Sequence, residues 1–171
     1  MKKSMLVPSL VVAVVLQLCV LVGSLVQANL PMWVGTEIRV LTQPVDPRSL
    51  LRGNYARLSY EFDRLPVDLL PSKQGVRVGE VVYAQLEAGE NGLYSLVAAS
   101  FEKPSQGLFL RGRITRSSAP YRVHYGLEAF FAEKDKALQL ERDLRSGGVA
   151  VLAVAANGRS TLVDVQALAD Q

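Results

Sequence analysis

The chain has 171 residues, 49% of them apolar, which suits one domain with a single core and leaves enough apolar sequence for a membrane span. Of its 19 basic residues, Lys2 and Lys3 precede the first acid, Glu37; the remainder sets 17 basic against 16 acidic side chains, too even a balance for a nucleic-acid surface. One cysteine and one histidine exclude an intramolecular disulfide, a thiolate metal cluster and a histidine-rich zinc site.

Residues 1–4 read as a cytoplasmic amino terminus and 5–26 as a transmembrane anchor. Met5 to Val26 is uncharged and overwhelmingly apolar, and as a helix it reaches roughly the ~30 Å of a bilayer's hydrocarbon core. Lys2 and Lys3 precede it and no basic residue follows until Arg39, so the positive-inside bias predicts an extracytoplasmic domain. Val26-Gln27-Ala28 would suit a signal peptidase, but the apolar run is longer than a signal peptide's usual ~7–15 residues, which favours an uncleaved anchor. Leu18 before Cys19 is wrong for a lipoprotein. Residues 27–35 read as a stem, with Trp33 either at the membrane interface or packed on the domain. Residues 36–171 form the domain, and Thr36 to Thr42 is its first predicted strand.

Gln43 to Phe62, QPVDPRSLLRGNYARLSYEF, is the most patterned stretch of the chain. Pro44 and Pro47 push Gln43 and Asp46 toward extended backbone, predicting a rigid turn. After Gly53-Asn54 the sequence alternates strictly, with Ala56, Leu58, Tyr60 and Phe62 on one side and Tyr55, Arg57, Ser59 and Glu61 on the other, as in a half-buried strand. Tyr60 is then a core residue and Tyr55 an outward one. Asp46, Arg48, Arg52, Arg57 and Glu61 form either a surface ion network or, with Tyr55, a polar face for a partner.

Gly53-Asn54-Tyr55-Ala56-Arg57-Leu58-Ser59-Tyr60 resembles the motif of the GDYXXLXY family of membrane-anchored bacterial proteins. Asn54 replaces the motif's aspartate, keeping a turn-forming oxygen and losing the charge a metal ligand would need. The resemblance extends to PVDPRSLLRG before the motif and to HYGLEAFF at 124–131. It implies one anchor in the bacterial inner membrane, an extracytoplasmic domain, no established activity, and a partner among multi-pass membrane proteins.

Between Asp63 and Gly79 alternation stops and Pro66, Pro71 and Gly75 accumulate, predicting a long surface loop. Val81 to Glu87 and Leu93 to Phe101 read as strands joined at Asn91-Gly92, whose tolerance of positive φ suits a hairpin. Gly107 to Thr115 follows, then Tyr121 to Phe131, bent at Gly126. Ala132 to Arg145 is predicted as one short helix ended by Gly147-Gly148. Val149 to Ala156 and Ser160 to Leu168 close the chain as a hairpin through Asn157-Gly158. The fold class is therefore mainly β with one short α-helix: an antiparallel sheet, sandwich or partly open barrel after the transmembrane helix.

Chemistry is sparse. Arg111, Arg113 and Arg116 on one predicted strand read as a solvated face rather than a phosphate site. Ser59 or Ser117 with His124 lacks a nucleophile elbow, and Lys73 lies in the proline-rich loop. No Walker, GxGxxG, HExxH or EF-hand pattern occurs, so no cofactor or metal is expected. Two functions follow from the sequence: a membrane-anchored interaction or structural module, or a membrane-tethered hydrolase with a non-standard site.

Overall fold

A computed structural model describes residues 6–43, 55–70, 75–131 and 147–167; of 6, 7, 55–57, 130, 131 and 167 it describes the backbone only. Leu6–Val34 is one continuous helix, α1, so the residues read as a stem are helical. Its segment Pro8–Val34 has a mean hydropathy of 2.6 and, at ~40 Å, is long and apolar enough to cross a bilayer. The polar side chains of Ser24 and Asn29 fold back onto the carbonyls of Val20 and Leu25, at 2.8 and 2.9 Å, which satisfies their hydrogen-bonding groups within the helix. Trp33 is 67% exposed, which removes the reading that packs it on the domain. Pro31 is buried, and its carbonyl accepts the Gly35 N–H at 2.9 Å where the chain turns into the first strand.

Eleven strands follow among the described residues: β1 (Thr36–Gln43), β2 (Tyr55–Arg57), β3 (Ser59–Tyr60), β4 (Arg64–Leu65), β5 (Val81–Ala88), β6 (Leu93–Ser100), β7 (Leu108–Arg116), β8 (Tyr121–His124), β9 (Ala129–Phe131), β10 (Gly148–Val154) and β11 (Ser160–Ala167). Nine of them form one sheet in the order β11-β10-β1-β6-β5-β7-β8-β4, with β3 paired to β1, and β2 and β9 form a separate pair. The pairings are antiparallel except β1 with β6, and the sheet does not close into a barrel.

Alternation places the core. Ile38 and Val40 of β1, Val82, Ala84 and Leu86 of β5, Leu110 and Ile114 of β7, and Leu152 of β10 are all fully or nearly buried on the inner face of the curled sheet. β6 and β7 flank β5, both antiparallel to it, so residues 101–107 run back across the outer face. There Lys103 lies over the Phe109 ring, 5.9 Å from its centroid, and Phe109 meets Tyr83 edge-on.

Both Asn-Gly hairpins form as predicted. Gly92 and Gly158 take φ of 71° and 78°, and the preceding asparagine oxygen accepts the N–H two residues on, Leu93 at 3.1 Å and Arg159 at 3.0 Å. The second turn has a further role. The Gly158 carbonyl accepts the Arg111 N–H at 2.7 Å, beyond the last residue of β7 that β8 covers, so the β10–β11 turn docks on that open strand edge.

Three predicted elements differ. The strand expected over 121–131, bent at Gly126, is two strands, β8 and β9, which lie in separate sheets. The strand expected over 55–62 breaks into β2 and β3 and ends in a 3₁₀ turn, Glu61–Asp63, because the segment changes partner after Leu58: β2 pairs with β9, and β3 pairs with β1. The expected surface loop after it contributes Leu65 and Leu70 to the core, with β4 pairing to β8 and a second 3₁₀ turn at Val67–Leu69. Proline density there marks short turns, and the two leucines supply the burial that fixes them. The helix expected over 132–145 lies outside the described residues.

Candidate functional site

The signature segment and HYGLEAFF, far apart in sequence, meet in space. β2 pairs with β9 through Tyr55↔Phe131, Ala56↔Phe130 and Arg57↔Ala129, and the Leu58–Glu128 bond continues the contact. From there inward, Leu58, Tyr60 and Phe62 are all buried, as alternation predicts, and Glu61 is exposed.

Two tyrosines clasp these segments reciprocally. The Tyr60 hydroxyl donates to the Leu127 carbonyl at 3.0 Å, and the Tyr125 hydroxyl donates to the Phe62 carbonyl at 3.1 Å. Phe62 lies between them, stacked on Tyr60 at 4.9 Å and edge-on to Tyr125 at 5.2 Å. Burial pushes both hydroxyls well above the ordinary tyrosine range, so both remain hydrogen-bond donors at any physiological pH. Gly112 makes room for this arrangement: a Cβ there would press into Val123 and the Tyr125 ring.

Each tyrosine is followed three residues later by an acid that accepts its backbone N–H. Asp63 Oδ2 takes the Tyr60 N–H at 2.8 Å; Glu128 Oε1 takes the Tyr125 N–H at 2.6 Å and its Oε2 the Gly126 N–H at 3.0 Å. His124 Nε2 lies 3.2 Å from Glu128 Oε2. The Asp63 carboxyl is pushed up to about 6, chiefly by burial; the Tyr60 N–H opposes this, Glu128 adds to it, and the Ser59 hydroxyl and His124 oppose it. Its Oδ1 is buried without a hydrogen-bond partner.

His124 contacts the Glu128 carboxylate whereas the Ser59 hydroxyl acts on Asp63, and the order hydroxyl, imidazole, carboxylate of a nucleophilic triad is not what these residues form. Ser117 is exposed beyond β7, and Lys73 lies outside the described residues. Among the described residues no three His, Cys, Asp or Glu side chains gather as metal ligands. A groove of ≈ 510 Å³ beside the clasp, where β1 meets β6, is lined by Leu41, Glu61, Phe62, Glu90 and Tyr94 and carries no converging reactive groups.

Of the sequence-predicted positions, Leu58 and Tyr60 are core residues and Tyr55 and Arg57 belong to β2, their side chains not described; Gly53, Asn54, Asp46, Arg48 and Arg52 lie outside the described residues. Asp63, Tyr125 and Glu128 were not singled out from the sequence. A signal existed in the shared spacing of Tyr60-Glu61-Phe62-Asp63 and Tyr125-Gly126-Leu127-Glu128, an aromatic with an acid three residues on.

The family model of the GDYXXLXY protein matches residues 17–165, and the chain belongs to that family. No curated protein and no solved structure matches it.

Proposed function

We propose that this GDYXXLXY protein is a membrane-anchored, extracytoplasmic interaction module that works with a multi-pass membrane protein. The observation that carries the reading is the use to which the signature is put. Leu58 and Tyr60 are buried, and the Tyr60 hydroxyl ties the segment to the 124–131 strand-and-turn, which makes the motif a frame rather than a reactive centre. A frame of this kind presents what borders it. The partner face we propose is the set the sequence pattern groups together, Tyr55 and Arg57 with Asp46, Arg48 and Arg52. Outward aromatic and arginine side chains are the types that dominate protein interfaces. The apolar exterior of α1 supplies the contact with the lipid bilayer.

The test is crosslinking in native membranes followed by purification and mass spectrometry of the captured protein. Wild type is expected to capture one multi-pass protein, and Tyr55→Ala to lose most of it at unchanged abundance. Equal capture by both would remove Tyr55 from the interface, and a reporter fused after Gln171 that is active only in the cytoplasm would reverse the orientation.

A further inference from the structure

Three arginines from two separate parts of the chain line one cleft. Arg111 and Arg113 stand two residues apart on β7, on the face opposite the core residues Leu110 and Ile114. His124 is the cross-strand partner of Arg113 and shares that face. Arg159 arrives from the β10–β11 turn, held there by the bond from the Arg111 N–H to the Gly158 carbonyl. A side chain at position 158 would run into Phe109 at 2.7 Å and Arg111 at 3.1 Å, so glycine is what lets the turn come this close. Together these residues line a cleft of ≈ 240 Å³ with Gly112, Tyr125 and Gly126, and among the described residues no carboxylate lines it. Glu128, which contacts His124 at the rim, is already held by two backbone N–H groups.

Gathering like charges opposes folding unless something offsets the repulsion. Arg113 is positioned rather than free-swinging, since its Nη1 donates to the Gly79 carbonyl at 2.9 Å. Arg116, on the same strand and grouped with Arg111 and Arg113 by sequence alone, does not line the cleft, and Arg159 takes its place. Donors that converge from two directions suit a tetrahedral anion with several acceptor oxygens, and guanidinium forks match phosphate geometry. We propose that the Arg111–Arg113–Arg159 cleft binds a phosphate group. The turn that carries Arg159 follows directly on Val154, the strand partner of Thr36, two residues beyond the end of α1. The phosphate therefore has two sources within reach of one chemistry, an anionic lipid headgroup or a free phosphate.

The experiment uses the full chain in phosphatidylcholine nanodiscs, with the arginine Nε–Hε resonances followed as orthophosphate is added. Saturable shifts with a Kd below about 1 mM are expected. The Arg111→Gln, Arg159→Gln double variant should bind at least about tenfold more weakly, and Arg116→Gln as wild type does. In discs containing phosphatidylglycerol, shifts before any phosphate is added assign the headgroup; spectra unchanged until phosphate is added assign the free anion. No saturable shift in either disc overturns the proposal, as does an equal loss in Arg116→Gln. Should the double variant not fold, Arg111→Lys and Arg159→Lys keep the charge and remove the fork, and wild-type affinity in both would equally overturn it.

Discussion

Tyr60 tests whether the signature frames the fold. The side chain is 1% exposed, its hydroxyl bonds the Leu127 carbonyl at 3.0 Å, and its ring stacks on Phe62 at 4.9 Å with planes 6° apart. Tyr60→Phe keeps the ring and the stack and removes one buried donor, leaving the Leu127 carbonyl without it; the expected loss is about 1–2 kcal/mol. Tyr60→Ala also removes the ring, and a buried aromatic truncation costs about 3–5 kcal/mol, to which the lost stack contributes. Tyr125→Phe should resemble Tyr60→Phe, because its hydroxyl makes the reciprocal bond to Phe62. Since the two hydroxyls tie the same two segments together, the double Phe variant should depart from additivity by about 0.5 kcal/mol or more. Urea denaturation of the purified protein in detergent gives these values as midpoint shifts at constant slope. A Tyr60→Phe midpoint equal to wild type, together with loss of partner capture, would refute the frame and make the hydroxyl a chemical group.

Leu58→Ala should cost about 2–5 kcal/mol in the same assay, as expected for a leucine 4% exposed within the core. Gly112→Ala should cost about 1–3 kcal/mol by overpacking, because the added methyl meets Val123 and the Tyr125 ring, and Tyr125→Phe should not relieve it. Asp63 should make stability fall as pH rises. Its carboxyl is raised from 3.8 to about 6, so the contribution is full below about pH 4 and is lost as pH passes through about 6. A two-unit shift corresponds to about 3 kcal/mol, and because part of the group faces solvent the observed change should be about 1–2 kcal/mol. Midpoints between pH 4 and pH 7 measure it, and Asp63→Asn should flatten the slope over that range.

What the sequence determined by itself was local. The period-two runs placed β1, β5, β6, β7, β10 and β11 nearly to the residue, because alternation needs only a buried and an open face. Asn91-Gly92 and Asn157-Gly158 fixed two hairpins, since their requirement for positive φ is met within the turn. The helix was legible from its uncharged apolar length alone, although its end at Val34 was not, because Asn29, Pro31 and Gly35 weaken the pattern where helical geometry continues. Long-range pairing decided the rest. Local alternation predicted one strand through residue 62, but after Leu58 the segment leaves β9 for β1 and the strand breaks. The parallel contact of β1 with β6 and the clasp of Tyr60 and Tyr125 depend on partners distant in the chain. For the same reason Arg116 looked like a companion of Arg111 and Arg113, whereas a glycine turn docking on a bare strand edge brought Arg159 to them instead.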